Sequence, residues 1–275
     1  MQSQWDCLLQ NLGEWQGSFT RLSPQGQELE DIPTVVSLEG LNDHRTIRQT
    51  IRRLTSNPDE KVLEYSSLGQ GVLLFENGAF SQGSIQFGPF SEFGAELGFI
   101  DGNYRLRLVQ LFNSASQLDQ LSLIREQRVG SRGSDRPPLQ LNDLLGTWQG
   151  EAVTVYPDWR NPITYPTTLC IRHEDEDHLT QHLSFGDSKT GQTFSSTGII
   201  NGSILRFDQG AQPVQVLLLP GGGSSTCPIQ IQSGQPFFLE AGWLLQPNWR
   251  QRMIRRYDDK GEWINLTLVT EHKAA

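Results

Sequence analysis

The amino-acid sequence predicts an all-β protein made of two antiparallel β-barrels in tandem, each preceded by a short helix. Three observations carry this expectation. The chain repeats itself, its apolar residues alternate with polar ones over short runs, and helical periodicity is scarce.

The repeat is the strongest of the three. Leu12-Gly13-Glu14-Trp15-Gln16-Gly17 returns as Leu145-Gly146-Thr147-Trp148-Gln149-Gly150, and Pro33-Thr34 as Pro166-Thr167, both at an offset of 133. Val72-Leu73-Leu74 returns as Val216-Leu217-Leu218, and Glu96-Leu97-Gly98-Phe99 as Glu240-Ala241-Gly242-Trp243, both at 144. Tyr104-Arg105-Leu106-Arg107 returns as Trp249-Arg250-Gln251-Arg252 at 145, a register that holds through Glu126 and Glu271. Five blocks in one order mean two copies of one domain. The second copy is the longer, around Ser188–Pro213. Residues 129–138, dense in Gly, Ser and Pro and without apolar periodicity, read as the junction. The expected division is therefore a first barrel over 1–130, a linker over 131–138 and a second barrel over 139–275.

Within each copy the elements follow from local pattern. One- to two-turn helices are expected at Asp6–Leu12 and Asn142–Leu145, just before each Gly-x-Trp. Thr167–Arg172 and Leu179–Phe185 read as strands around a hairpin tip, His173-Glu174-Asp175-Glu176-Asp177-His178. Arg250–Tyr257, the turn Asp258-Asp259-Lys260-Gly261 and Glu262–Thr270 read as strand, turn, strand. Leu118, Leu121 and Leu123, like Trp263, Leu266 and Leu268, mark the buried face of a last strand.

Composition narrows the function classes. With 275 residues, 36% hydrophobic and 19% charged, the chain suits two ordinary cores. A net charge of −9 argues against nucleic acid and anionic membrane as partners. No apolar run approaches the ~20 residues of a membrane-spanning helix. The start lacks the basic and apolar regions of a signal peptide, and Cys7, Cys170 and Cys227 are too few for a disulfide framework. The expected location is cytoplasmic.

Gly13-x-Trp15 and Gly146-x-Trp148, each following a short helix, resemble the lipocalin (calycin) signature, in which the Trp closes the barrel floor and an Arg from a late strand packs over it. Gly78–Ser84, Ser91–Glu96 and Tyr156-Pro157-Asp158-Trp159-Arg160 resemble a family found largely in cyanobacteria and plastids, domain of unknown function 3598. The resemblance spans nearly the whole chain and implies two lipocalin-like barrels with no established activity. More distantly, the opening is similar to the lipocalin-fold phycobiliprotein lyases, which hold a bilin and deliver it to a cysteine. No lyase motif matches residue by residue, so no lyase site is carried over.

Several residues are candidates for chemistry. Arg105 with Arg107, and Arg250 with Arg252, lie two apart on a strand and so share a face. Facing inward, each pair could hold a carboxylate or phosphate bidentately; alternatively one Arg caps the Gly-x-Trp indole while the other is solvated. Glu96 and Glu240 sit in apolar stretches and are read as ion-pair partners of those arginines, with acid/base work as the sharper alternative. Trp243, Trp249 and Trp263 are candidates either to stack on a flat ligand or to fill the barrel. Cys170, His173, His178 and His182 match no standard zinc spacing. With a turn at Asp175-Glu176, His173 would oppose His178, and Cys170 would lie on the face away from His178 and His182. Gly221–Thr226 reads as a flexible hairpin turn rather than a phosphate loop, and no nucleophilic triad or metal site is expected.

The functional expectation is a non-enzymatic carrier for a small hydrophobic, anionic ligand such as a fatty acid or tetrapyrrole. Its site would use Arg105, Arg107, Arg250, Arg252, Glu240, Trp243 and Trp249, with the second copy preferred. The alternatives are a bilin lyase or chaperone, and a contact module in photosynthetic assembly.

Overall fold

A computed structural model of the chain describes residues 2–131, 133, 136–186 and 191–274. The chain divides into two compact units, Met1–Ser84 with Gly94–Leu111 and Asp119–Ser134, and Ile85–Phe93 with Phe112–Leu118 and Asp135–Ala275. Two segments of the first copy thus group with the second unit, where Trp263 N–H donates to the Ile85 carbonyl and Leu118 N–H to that of Ile229, each at 2.9 Å. Residues 132, 134 and 135 of the expected linker lie outside the described residues.

The first copy runs α1 (Gln4–Leu9), β1 (Gly13–Leu22), β2 (Glu28–Leu41), β3 (Thr46–Arg53), β4 (Asp59–Tyr65), β5 (Val72–Leu74), β6 (Phe80–Gly83), β7 (Phe93–Asp101), β8 (Tyr104–Phe112) and β9 (Leu118–Arg128). The helix begins two residues before the expected start. Ser3 caps it, its Oγ accepting from Asp6 N–H while the Asp6 carboxylate accepts from Ser3 N–H. The nine strands form one curled, half-barrel sheet in the order β4-β3-β2-β1-β9-β8-β7-β6-β5. Its core gathers Cys7, Leu8, Trp15, Val36, Leu38, Ile47 and Leu74.

The second copy runs α2 (Leu141–Leu144), β10 (Gly146–Val155), β11 (Ile163–His173), β12 (His178–Phe185), β13 (Gln192–Asn201), β14 (Ile204–Phe207), β15 (Val214–Leu218), β16 (Gly223–Pro228), β17 (Phe237–Gln246), β18 (Trp249–Tyr257) and β19 (Trp263–Lys273). These ten strands close into a barrel. Its core gathers Leu144, Trp148, Leu169, Ile171, Leu179, Leu205 and Phe207.

One strand accounts for the difference. β14 has no counterpart in the first copy, and it falls in the stretch where the sequence offset grows. It bridges β13 and β15, with Leu205 and Phe207 buried. The first copy ends β4 and turns directly toward β5. There the Gln4 side chain takes the edge position, accepting from Leu74 N–H at 2.6 Å and donating to its carbonyl at 2.9 Å. In the second copy the equivalent Leu218 N–H donates to the Ser203 carbonyl just before β14. A side-chain amide satisfies one residue of an edge but cannot extend a ladder, so no ladder joins β4 to β5 and the sheet stays open.

Both Gly-x-Trp glycines have a conformational reason. Gly13 and Gly146 sit at φ of +122° and +114°, a region that a side chain strains, and they turn the chain from helix into first strand. Trp15 and Trp148 are then fully buried, each donating its indole N–H at 2.9 Å to a carbonyl four residues earlier, Asn11 or Leu144.

Candidate functional site

Each copy builds the same buried polar cluster over its Trp. In the first, Arg105 Nε donates to Glu126 Oε2 at 2.7 Å, and Arg107 holds the same carboxylate by Nε and Nη2 at 3.0 and 2.9 Å. Arg107 Nη1 also donates to Glu96 at 2.7 Å. In the second, Arg250 and Arg252 donate through Nε to Glu271 Oε1 at 2.6 and 2.8 Å, and Arg252 Nη1 reaches Glu240 at 3.2 Å. The β18–β19 register sets Arg250 directly opposite Glu271.

Arg107 and Arg252, the members of each pair expected in solvent under the capping reading, are instead buried or nearly so, because each is held by two internal carboxylates. The Arg105 and Arg250 guanidiniums lie 4.6 and 4.2 Å from the Trp15 and Trp148 rings, while Arg107 and Arg252 bridge two carboxylates. A second cation, Arg128 or Lys273, lies over each indole at 4.3 or 4.9 Å. Glu126 and Glu271 were not singled out as partners by the sequence reading. The signal that points to them is their recurrence as acids at the same place in both last strands, at the offset of the arginine pairs.

Electrostatics separates the carboxylates. Burial pushes the Glu126 carboxyl up, but Arg107 and Arg105 outweigh it and hold the group at about 2, against an ordinary 4.5. Glu271 moves down for the same reason. Glu240 goes the other way, because burial prevails over the pull of Arg252. Burial brings Arg250 down to about 10 despite Glu271.

These clusters wall two cavities. The second barrel holds a cavity of about 430 Å³, lined by apolar side chains including Leu144, Leu179, Phe207 and Trp243 together with Glu240, Arg250 and Arg252. The first sheet cups about 610 Å³ beside Glu96, Arg105 and Arg107. Arg105 Nη2 and Arg250 Nη2 are buried and have no hydrogen-bond partner among the described residues. Trp243 is pinned, donating its indole N–H to the Gly221 carbonyl at 3.1 Å with Arg136 4.4 Å from its ring. Trp249 is not in the wall. It lies one residue out of phase with Arg250 and Arg252, and so on the other face of β18, where it stacks on His272 at 5.8 Å.

Two local expectations change. The β11–β12 register pairs His173 with Leu179 and Cys170 with His182, one residue off the expected pairing, because the connection includes one more residue than a turn centred on Asp175-Glu176. A one-residue slip exchanges faces, so Cys170 lies across from His182 and His173 leaves the face of His178 and His182. Gly221–Thr226 is not one flexible turn. Pro220–Gly222 forms a tight, buried turn, and Gly223 onward is β16.

The cysteines differ in access. Burial pushes the Cys7 thiol up and that of Cys227 to about 12, whereas Cys170 is half-buried. In the native chain an alkylating reagent at pH 8 is therefore expected to modify Cys170 first, with Cys7 and Cys227 reacting only on unfolding. Peptide mapping after timed labelling checks this order, and early modification of Cys227 would contradict it.

Comparison with known proteins extends the picture. Residues 1–131 match the family model described as domain of unknown function 3598, N-terminal. Residues 135–274 match the model described as Biogenesis factor required for ATP synthase 1, C-terminal domain. A crystal structure of a protein from the domain of unknown function 3598 family of Nostoc punctiforme is 54% identical, with 100% of both chains covered and a TM-score of 0.94. An S-type phycobiliprotein lyase from Guillardia theta is 10% identical, covering 49% of this chain and 90% of its own, with a TM-score of 0.40. No curated protein matches. Among the described residues no helix is long and apolar enough to cross a membrane.

Proposed function

The chain belongs to the domain of unknown function 3598 family, and from that premise we propose that it is a non-catalytic binding protein whose second barrel holds a small amphiphile by an anionic head. The observation that carries this reading is the mainly apolar cavity of about 430 Å³ lined in part by Arg250, which keeps a buried guanidinium nitrogen without a partner among the described residues. Cavities of this size with few polar groups are the common form of small-molecule sites. Arg250 and Arg252 share the Glu271 carboxylate and Arg252 also reaches Glu240, so Arg250 Nη2 is the guanidinium nitrogen left for an anionic head. The planar fork of Arg suits a carboxylate.

The test is native mass spectrometry with calorimetric titration of the full chain, using decanoate, decanol and biliverdin as probes. Decanoate is expected to bind at least tenfold tighter than decanol, and Val216→Trp, which fills the cavity, is expected to remove that equivalent. Equal binding of decanoate and decanol would overturn the anionic head, and failure of all three probes would overturn the carrier. Transfer of bound biliverdin to the cysteine of an apo-phycobiliprotein would instead mark a lyase.

A second reading rests on the C-terminal match to a model named for a biogenesis factor, which favours a contact module in the assembly of a larger complex. Exposed apolar side chains on the second copy, Trp159, Ile163 and Phe194, are the surface this reading would use.

A further inference from the structure

The cavity of the first sheet is not a copy of the one in the second barrel. Its wall changes chemistry at two corresponding positions. Asn11 stands where the repeat puts Leu144, and Tyr65 stands in β4 where the strand pairing puts Gly198 in β13. The Asn11 amide nitrogen donates to the Gly78 carbonyl at 2.9 Å, which leaves Oδ1 as a buried acceptor, and this oxygen has no hydrogen-bond partner among the described residues. Arg105, 3% exposed, keeps Nη2 as a buried donor likewise without a partner among them. The Tyr65 hydroxyl adds a second donor, close enough to Arg105 to feel its charge. Buried polar atoms without partners are rare in folded proteins, and the two residues that carry these, Asn11 and Arg105, both line this cavity. The remaining wall is mainly apolar, with Phe19, Val36, Ile51 and Leu74. Because no ladder joins β4 to β5, the cavity also has a lateral margin at Leu63, Leu68 and Val72.

We infer that the first sheet is a second, chemically distinct binding site, for an amphiphile whose head carries both a carboxylate and a hydrogen-bond donor, an α-hydroxy acid with an apolar tail. Arg105 and Tyr65 donate to the carboxylate, and the ligand hydroxyl donates to Asn11 Oδ1. The tail lies along the apolar wall and leaves through the margin between β4 and β5. This site is independent of the second barrel, and each site stands or falls by itself.

The experiment titrates the full chain with 2-hydroxydecanoate and with decanoate, in a Val216→Trp background that removes the other cavity, with stoichiometry read by native mass spectrometry. One equivalent of 2-hydroxydecanoate is expected to bind, about tenfold tighter than decanoate, the factor set by satisfying one buried acceptor. Asn11→Leu, which installs the residue of the second copy, is expected to bring the two probes within about twofold. Tyr65→Phe keeps the ring and is expected to weaken both probes alike, which tests the site even if Asn11→Leu fails to fold. No uptake in the Val216→Trp chain, equal affinity for the two probes, or a preference that survives Asn11→Leu would each overturn the proposal. If the carrier reading of the second barrel is the one that fails, the chain with Val216 intact takes up a single equivalent, and that equivalent depends on Asn11.

Discussion

Glu271→Gln is expected to destabilise the second barrel by about 3–5 kcal/mol, the largest effect of any single substitution considered. The Glu271 carboxylate is fully buried and is the common acceptor of Arg250 and Arg252, which are themselves almost buried. Removing its charge leaves two guanidiniums in a low-dielectric wall with only Glu240, itself shifted toward neutrality, to answer them. The loss arises from stranded charges rather than from the worth of the ion pair, since a well-packed apolar replacement of a whole buried network is often neutral. Urea unfolding followed by far-ultraviolet circular dichroism checks it, with Asp158→Asn as control. Asp158 pairs with Arg160 at the surface, and such pairs contribute little. A Glu271→Gln loss no larger than the control's would show that the cluster is not electrostatically stressed.

Acid is expected to weaken the first sheet through Glu126. Its folded-state value of about 2 lies below the ordinary 4.5, so the native state favours the ionised form. A depressed carboxylate contributes stability that is fully present above its unfolded value and is lost as pH falls through the folded one. The window is therefore about pH 5 down to about pH 2, and the shift corresponds to about 3 kcal/mol. The stability of the parent chain minus that of Glu126→Gln, measured from pH 7 to pH 2, should be flat above pH 5 and shrink below it. A difference that stays constant to pH 2 would show that Glu126 is not held ionised by Arg105 and Arg107.

Much of the architecture was legible in the sequence because it is written twice. Gly13-x-Trp15 and Gly146-x-Trp148 announce a buried indole, which the structure bears out, and the structure adds that both glycines sit at positive φ. The arginine pairs were legible as residues sharing a face, since a period of two needs no knowledge of partners. The same parity argument separates Trp249 from Arg250 and Arg252, although its aromatic character suggested otherwise. What the acids do was less legible. Glu126 lies 21 residues from Arg105, and only the pairing of two strands brings them to 2.7 Å.

By itself the sequence determined the all-β class, the duplication and the arginine pairs that share a strand face, because these depend on local periodicity and on residue type. Tertiary structure alone decided which carboxylate answers which guanidinium, the face on which Cys170 lies, and that one copy closes while the other stays open. Each of these is set by strand register and by the presence of β14, a strand of four residues that bridges two others. Register and closure are properties of pairs of distant segments, and a one-residue change in a connection exchanges the faces of a whole strand.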